Sequence, residues 1–179
     1  ISRVYYTFKA FVEDDNIGTE ELLSERLKYS KHYQTLRLAN TSSKVLNSCI
    51  YRLNRLETAV TRPFFLEVLQ MYQEGVLSLD EVTQIFLNTE NYLFRRLICD
   101  LPTNMLNKIF LMLHKEIMRY DGTGDQYFEK FKYAMLSKKE RARFPDDAEF
   151  VAAFSAKPVY LMNSKNKHYL FERLENHGT

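Results

Sequence analysis

The stretch ENYLFRRLICDLPTNMLNKIF, residues 90–110, carries two helical patterns separated by a corner. Leu93, Phe94, Leu97 and Ile98 form an apolar band at helical spacing, broken by the adjacent Arg95 and Arg96. The band stops at Asp100-Leu101-Pro102 and resumes after Thr103-Asn104, where Leu106, Ile109, Phe110, Leu113 and Ile117 repeat the same period. Proline is unsuited to a helix interior, so Pro102-Thr103 is predicted to end one helix and open the next. Consecutive helical residues point about 100° apart, so the two arginines cannot both face water squarely. At least one is expected at the core boundary. There it can pair with Asp100 or Glu90, bond helix-end carbonyls, or contact a ligand or nucleic acid.

The helical period continues outward on both sides. Upstream, Thr19 is predicted to cap a helix reaching about Ala39, with Leu22, Leu23, Leu27, Tyr29, Tyr33, Leu36 and Leu38 as packing positions. A second helix is predicted from Thr41-Ser42-Ser43, with Val45, Leu46, Cys49, Ile50, Leu53 and Leu56 on one face. Thr61-Arg62-Pro63 is a start signal, with the proline in a first turn where its missing N–H costs nothing. Gly75 is expected to end that helix in the left-handed region. Ser78 and Glu81 have the spacing of a capping box for the helix that carries the two arginines.

Downstream, Asp121-Gly122-Thr123-Gly124-Asp125 is a break. Shorter helices are predicted beyond it: Tyr127 to Met135, one capped by Ser137 with Glu140, one opened by Asp146-Asp147 with Glu149, and one from Asn163 to Glu175. Residues 158–161, Pro-Val-Tyr-Leu, are the best strand candidate. The whole reads as all-α, a bundle or irregular array of about eight or nine helices with at most that minor strand. Residues 1–120 are expected to form the main helical module and residues 121–179 a smaller helical extension.

Composition agrees with a folded domain: 45% of the residues are hydrophobic and 27% charged, with 13 Phe and 12 Tyr to fill a core. Only 5 Gly and 4 Pro leave little punctuation, which favours long helices and short turns. The net charge of +2 is too small to announce a nucleic-acid partner unless the cations share a face. No apolar run is long enough for a membrane-spanning helix, and no membrane role is expected. Cys49 and Cys99 both fall in apolar helical patterns and read as reduced thiols of a cytoplasmic protein. The first residues, with Val4, Phe8, Phe11 and Val12, read as the end of a helix, and the chain is expected to be an internal fragment of a longer protein.

Catalytic constellations fail one by one. His32, His114, His168 and His177 never share a helix face at i, i+4, and no Cys-x-x-Cys exists, so no zinc site is predicted. Counted as calcium loops, the stretches from Asp121 and from Asp14 lack the glycine at the sixth position, and the first has Lys132 where a bidentate glutamate belongs. Pro145-Asp146 with Lys157 has the outline of a nuclease motif, but Ser155 stands where the second carboxylate is needed. A helix cap is the better reading of Asp146. The chain is therefore predicted not to be an enzyme by itself. Its remaining chemical signal is basic: Arg52, Arg55 and Arg62 near one helix, Lys138, Lys139, Arg141 and Arg143 within six positions, Lys108 after the corner, and Lys165 and Lys167 later. Such groups can track phosphates or simply solvate a helix face.

The segment Tyr92-Leu93-Phe94-Arg95-Arg96-Leu97-Ile98-Cys99-Asp100-Leu101-Pro102-Thr103-Asn104, continuing through Leu106-Asn107-Lys108, resembles a segment of the GmrSD-like, type IV modification-dependent restriction proteins. In that family it takes the form of an arginine pair, a Cys-Gly-Leu-Pro-Thr-Asn-like turn and a Leu-Asn-Lys helix start. Asp100 replaces the glycine-like residue here. Residues 65–78 and 166–176 resemble the flanking helices, so the likeness spans most of residues 30–179. It implies a phage-defence parent with an N-terminal nucleotide-hydrolysing domain and a C-terminal His-Asn-His nuclease, using nucleotide and a divalent metal, neither bound by this fragment. Arg95, Arg96, Lys108, Arg52, Arg55, Lys138 and Lys139 are the candidate DNA contacts, and Pro102, Thr103 and Asn104 the structural signature. A helical protein-interaction scaffold with no link to DNA is the alternative.

Overall fold

A computed structural model of the chain describes residues 18–56 and 59–176. The predicted segment around Val4 to Val12, the acidic loop after it and His177 lie outside these residues. The described chain is all-α: α1 (Thr19–Leu38), α2 (Lys44–Arg55), α3 (Arg62–Gln73), α4 (Leu79–Ile98), α5 (Leu106–Met118), α6 (Tyr127–Leu136), α7 (Asp147–Ala156) and α8 (Ser164–Glu175). Three short 3-10 turns join them, at Ala59–Thr61, Glu140–Ala142 and Val159–Leu161.

Local chemistry sets the boundaries. Ser43 accepts the Leu46 N–H at the start of α2. Ser78 and Glu81 complete the capping box of α4 in both directions, satisfying two amides that the first helical turn leaves without partners. Asp146 accepts the Glu149 N–H ahead of α7, and Asn163 accepts the Asn166 N–H ahead of α8. At the end of α3, Gly75 takes φ +75°, the Val76 N–H bonds the Met71 carbonyl and the Gly75 N–H bonds that of Tyr72. This is the six-to-one and five-to-two pairing of a left-handed stop, which a Cβ disfavours. Gly75→Ala is accordingly expected to destabilise the chain by about 1 kcal/mol, read as a shift in the urea midpoint.

The core is aromatic and is built around α4. Phe65 of α3 stacks on Phe86 of α4 with ring centroids 3.9 Å apart, and Phe64 stacks on Phe131 of α6 at 5.7 Å. Tyr92 meets Phe110 of α5 edge-on. Leu46, Cys49, Ile50 and Leu53, one i, i+3, i+4, i+7 face of α2, are buried as α2 packs along α4. Each ring or branched chain so buried contributes roughly 1.5–3 kcal/mol of transfer free energy. Helices α6, α7 and α8 close over the same frame, α6 on α5 and α4, α7 on α4 and α8 on α2.

Four local expectations are corrected. Residues 158–161 are not a strand: Leu161 N–H bonds Pro158 O and Met162 N–H bonds Val159 O, so the segment closes on itself as a 3-10 turn, and no strand lies beside it among the described residues. Gly18, not Thr19, is the N-cap of α1. Ser137 ends α6 rather than opening a helix; its hydroxyl donates to the Ala134 carbonyl, and the 3-10 turn beyond starts from Lys139. On α1, Leu36 is buried but Leu23, Leu27, Tyr33 and Leu38 are exposed. α1 meets α3, where buried His32 bonds Gln70, and also α2, and nothing among the described residues covers the leucines on its other side.

Candidate functional site

The corner between α4 and α5 is where sequence and structure meet most closely. Asp100 follows α4 with φ +51°, the left-handed region that favours glycine. Its carboxylate is held by the Lys157 ammonium, which also donates to the Leu97 carbonyl at the end of α4. The Leu101 N–H returns to the Arg96 carbonyl, and the Leu106 N–H bonds Thr103 O as α5 begins. The helix thus starts at Leu106, a turn later than Pro102-Thr103 would place it.

The two arginines have different surroundings. Arg96 is 2% exposed. Its Nη2 donates to the Pro102 carbonyl at 2.6 Å, and its Nη1 to the carbonyls of Arg141 at 2.8 Å and Arg143 at 3.3 Å. One guanidinium therefore joins the end of α4, the turn after it and the segment between α6 and α7. Among the described residues its buried Nε–H has no hydrogen-bond partner, and the group lies 5.2 Å from the Tyr92 ring centroid, whose π face offsets part of that loss. Burial pushes its pKa below the usual arginine value, yet an arginine stays charged at neutral pH. The Tyr92 hydroxyl donates to the Ala142 carbonyl and fastens the same segment.

Arg95 sits on the outer side of that joint. It donates to Asn91, to the Pro145 carbonyl and to Asp147 at the start of α7, with its guanidinium over the Phe150 ring. Neither arginine pairs with Asp100 or Glu90. Asp100 is taken by Lys157, and Glu90 points to the opposite face of α4.

Glu90 anchors the cluster that sequence reasoning missed. It is 4% exposed and accepts from Arg52 Nε at 2.8 Å and from the Tyr169 hydroxyl at 2.7 Å, with Arg173 at 3.9 Å. Arg52 also reaches the Cys49 sulfur. Burial and the Glu90 charge push the Tyr169 hydroxyl up, so it keeps its proton and donates; burial likewise pushes the Cys49 thiol up. The sole hint in the sequence was an acid on a helix face between Phe86 and Leu93. Its partners stand 38 and 79 residues away.

The other predicted contacts divide clearly. Arg55 stacks on Tyr51 and lies 3.8 Å from Glu172. Arg62 donates to the Tyr33 hydroxyl, Lys138 to Glu116, and Arg143 to Glu149. Lys167 bonds the Tyr160 carbonyl. Lys108 and Lys139 are exposed and have no such partner among the described residues. Pro102, Thr103 and Asn104 are also exposed; they line a cavity of about 660 Å³ with Leu93, Leu97 and Asn107. Asp121 is held by Lys130 and the Thr123 N–H, which organise the glycine-rich break as a turn. Among the described residues, no three His, Cys, Asp or Glu side chains converge as ligands for a metal ion. No helix among them is long and apolar enough to cross a membrane. No protein-family model, curated protein or solved structure matches the chain.

Proposed function

We propose that this chain is the helical, non-catalytic region of a GmrSD-like modification-dependent restriction protein, cytoplasmic and serving phage defence. It spaces a nucleotide-hydrolysing domain from a His-Asn-His nuclease domain and engages the DNA duplex between them. Nucleotide and divalent metal belong to those flanking domains, and the contribution of this chain is geometry. The observation that carries the reading is the use made of the resembling segment. Arg96, Asp100 and Pro102 form a joint that fixes the C-terminal helices against α4 through three carbonyls and the Lys157 pair. A region placed between two catalytic domains needs such a joint, because catalysis tolerates little error in position.

With Arg96 and Arg95 engaged in bracing, DNA contact falls to exposed cations. The purified chain is expected to bind a fluorescein-labelled duplex of about 20 base pairs with an affinity that falls as salt rises, and to leave that duplex uncut with Mg²⁺ present. Metal-dependent cleavage abolished by one internal substitution would overturn the non-catalytic assignment. A second reading, a protein-interaction scaffold, is favoured by one observation: Tyr160 and Leu161 are 82% and 84% exposed beside the corner. Absence of duplex binding at low salt, together with a stable complex with a protein partner, would decide for the scaffold.

A further inference from the structure

Helix α5 carries a feature that the corner does not use. At about 100° per residue, Lys108, Lys115 and Arg119 fall within about 20° of one line along the helix, Arg119 at its C-cap. The buried residues Leu106, Ile109, Phe110, Leu113 and Ile117 occupy the opposite side. The three cations are exposed, and none is engaged by an ion pair or side-chain hydrogen bond among the described residues. Arg52, Arg55, Arg95, Arg96 and Arg143 are all held within the chain. The one acid of α5, Glu116, is taken by Lys138. Exposed Leu111 and Met112 lie between the cations, and the row ends at the exposed pair Tyr120 and Tyr133, whose rings meet edge to face at 5.6 Å.

We propose that this face of α5 is a contact for the phosphate backbone of duplex DNA, with Lys108, Lys115 and Arg119 each neutralising one phosphate. The proposal rests on the DNA-engaging reading above and assigns it to a surface. A rise of about 1.5 Å per residue sets the cations about 10 Å and about 6 Å apart. A DNA strand carries a phosphate about every 3.4 Å of its axis while winding around it, so phosphates are dense enough for long, flexible lysine and arginine side chains at these intervals to reach one each without an exact match of spacing. A straight row of one sign, with no acid left unpaired among its members, is complementary to a linear polyanion. It positions without reading sequence, because phosphate contacts carry no base information.

The test uses the full 179-residue chain. Duplex binding by fluorescence anisotropy is followed from about 50 to about 200 mM salt for wild type and for K108Q/K115Q/R119Q. The slope of log K against log salt is expected to flatten by about 0.9 for each phosphate no longer neutralised, about 2.7 in all, with the melting temperature unchanged. A control, K31Q/R37Q/K44Q on α1 and α2, removes the same charge from other exposed positions and is expected to keep the wild-type slope. An unchanged slope in the α5 variant, or an equal flattening in the control, would overturn the assignment while leaving the DNA-engaging reading standing. Poly-glutamate binding as tight as that of duplex would make the face a dock for acidic protein and overturn it too. If the wild-type chain binds no duplex at the lowest salt, the DNA-engaging reading fails and this surface role fails with it.

Discussion

Replacing Arg96 with alanine is expected to be among the most damaging single substitutions in the chain. The carbonyls of Pro102, Arg141 and Arg143 lose their donor together, and an acceptor left without a partner in a closed site costs about 1–3 kcal/mol. Water can reach the exposed turn at Pro102, so the sum is expected near about 3 kcal/mol rather than the full additive value. In a domain of this size that lowers the melting temperature by about 10 °C. Lysine should not rescue it, because one ammonium cannot span carbonyls on two segments as a planar fork does. Arg95→Ala is the internal comparison. Its charged partner, Asp147, has a side chain 88% exposed, and solvent-screened pairs of that kind contribute at most about 1 kcal/mol. Equal, small melting losses for the two variants would show that the corner is not braced through Arg96. An unchanged salt slope of DNA binding in folded Arg95→Ala is expected as well.

Glu90→Ala should be comparably severe for a different reason. The carboxylate sits among α2, α4 and α8, so its removal strands the Arg52 guanidinium and the Tyr169 hydroxyl in a closed site. Breaking one side of a buried pair costs about 3–5 kcal/mol, whereas replacing both sides with apolar groups of similar size is often close to neutral. E90L/R52M is therefore expected to be more stable than E90A when denaturant midpoints are compared. If the double variant is the less stable of the two, Arg52 contributes through contacts other than Glu90, and an uncompensated charge is not what destabilises E90A.

The Arg95-Arg96 pair marks how far one sequence can be read. Helical geometry required that the two face differently, and helix-end carbonyls were among the partners available to a core-boundary arginine. The choice of carbonyls at 102, 141 and 143 over Asp100 or Glu90 could not be read there. It depends on which segment crosses behind α4, 45 residues later in the chain. Lys157 has the same cause: the lysine beside a missing carboxylate in a nuclease-like outline closes the α4 corner instead. Residues 158–161, the best strand candidate, close as a 3-10 turn because a short apolar run does not create a partner strand. The exposed leucines of α1 failed because a period locates a face but not what covers it.

The all-α class, most helix boundaries, the caps at Ser43, Ser78, Asp146 and Asn163, and the left-handed stop at Gly75 follow from the order of residues alone. These features are local: each depends on hydrogen bonds and dihedral preferences within a few residues, which the chain carries wherever it goes. Packing, by contrast, was needed to bury Glu90 against Arg52 and Tyr169, to make Arg96 a brace, and to leave Lys108, Lys115 and Arg119 as a row without partners among the described residues. Charge pairing is set by distance in space. Whether a cation is engaged inside the fold or left for a partner is fixed only when helices far apart in sequence come together.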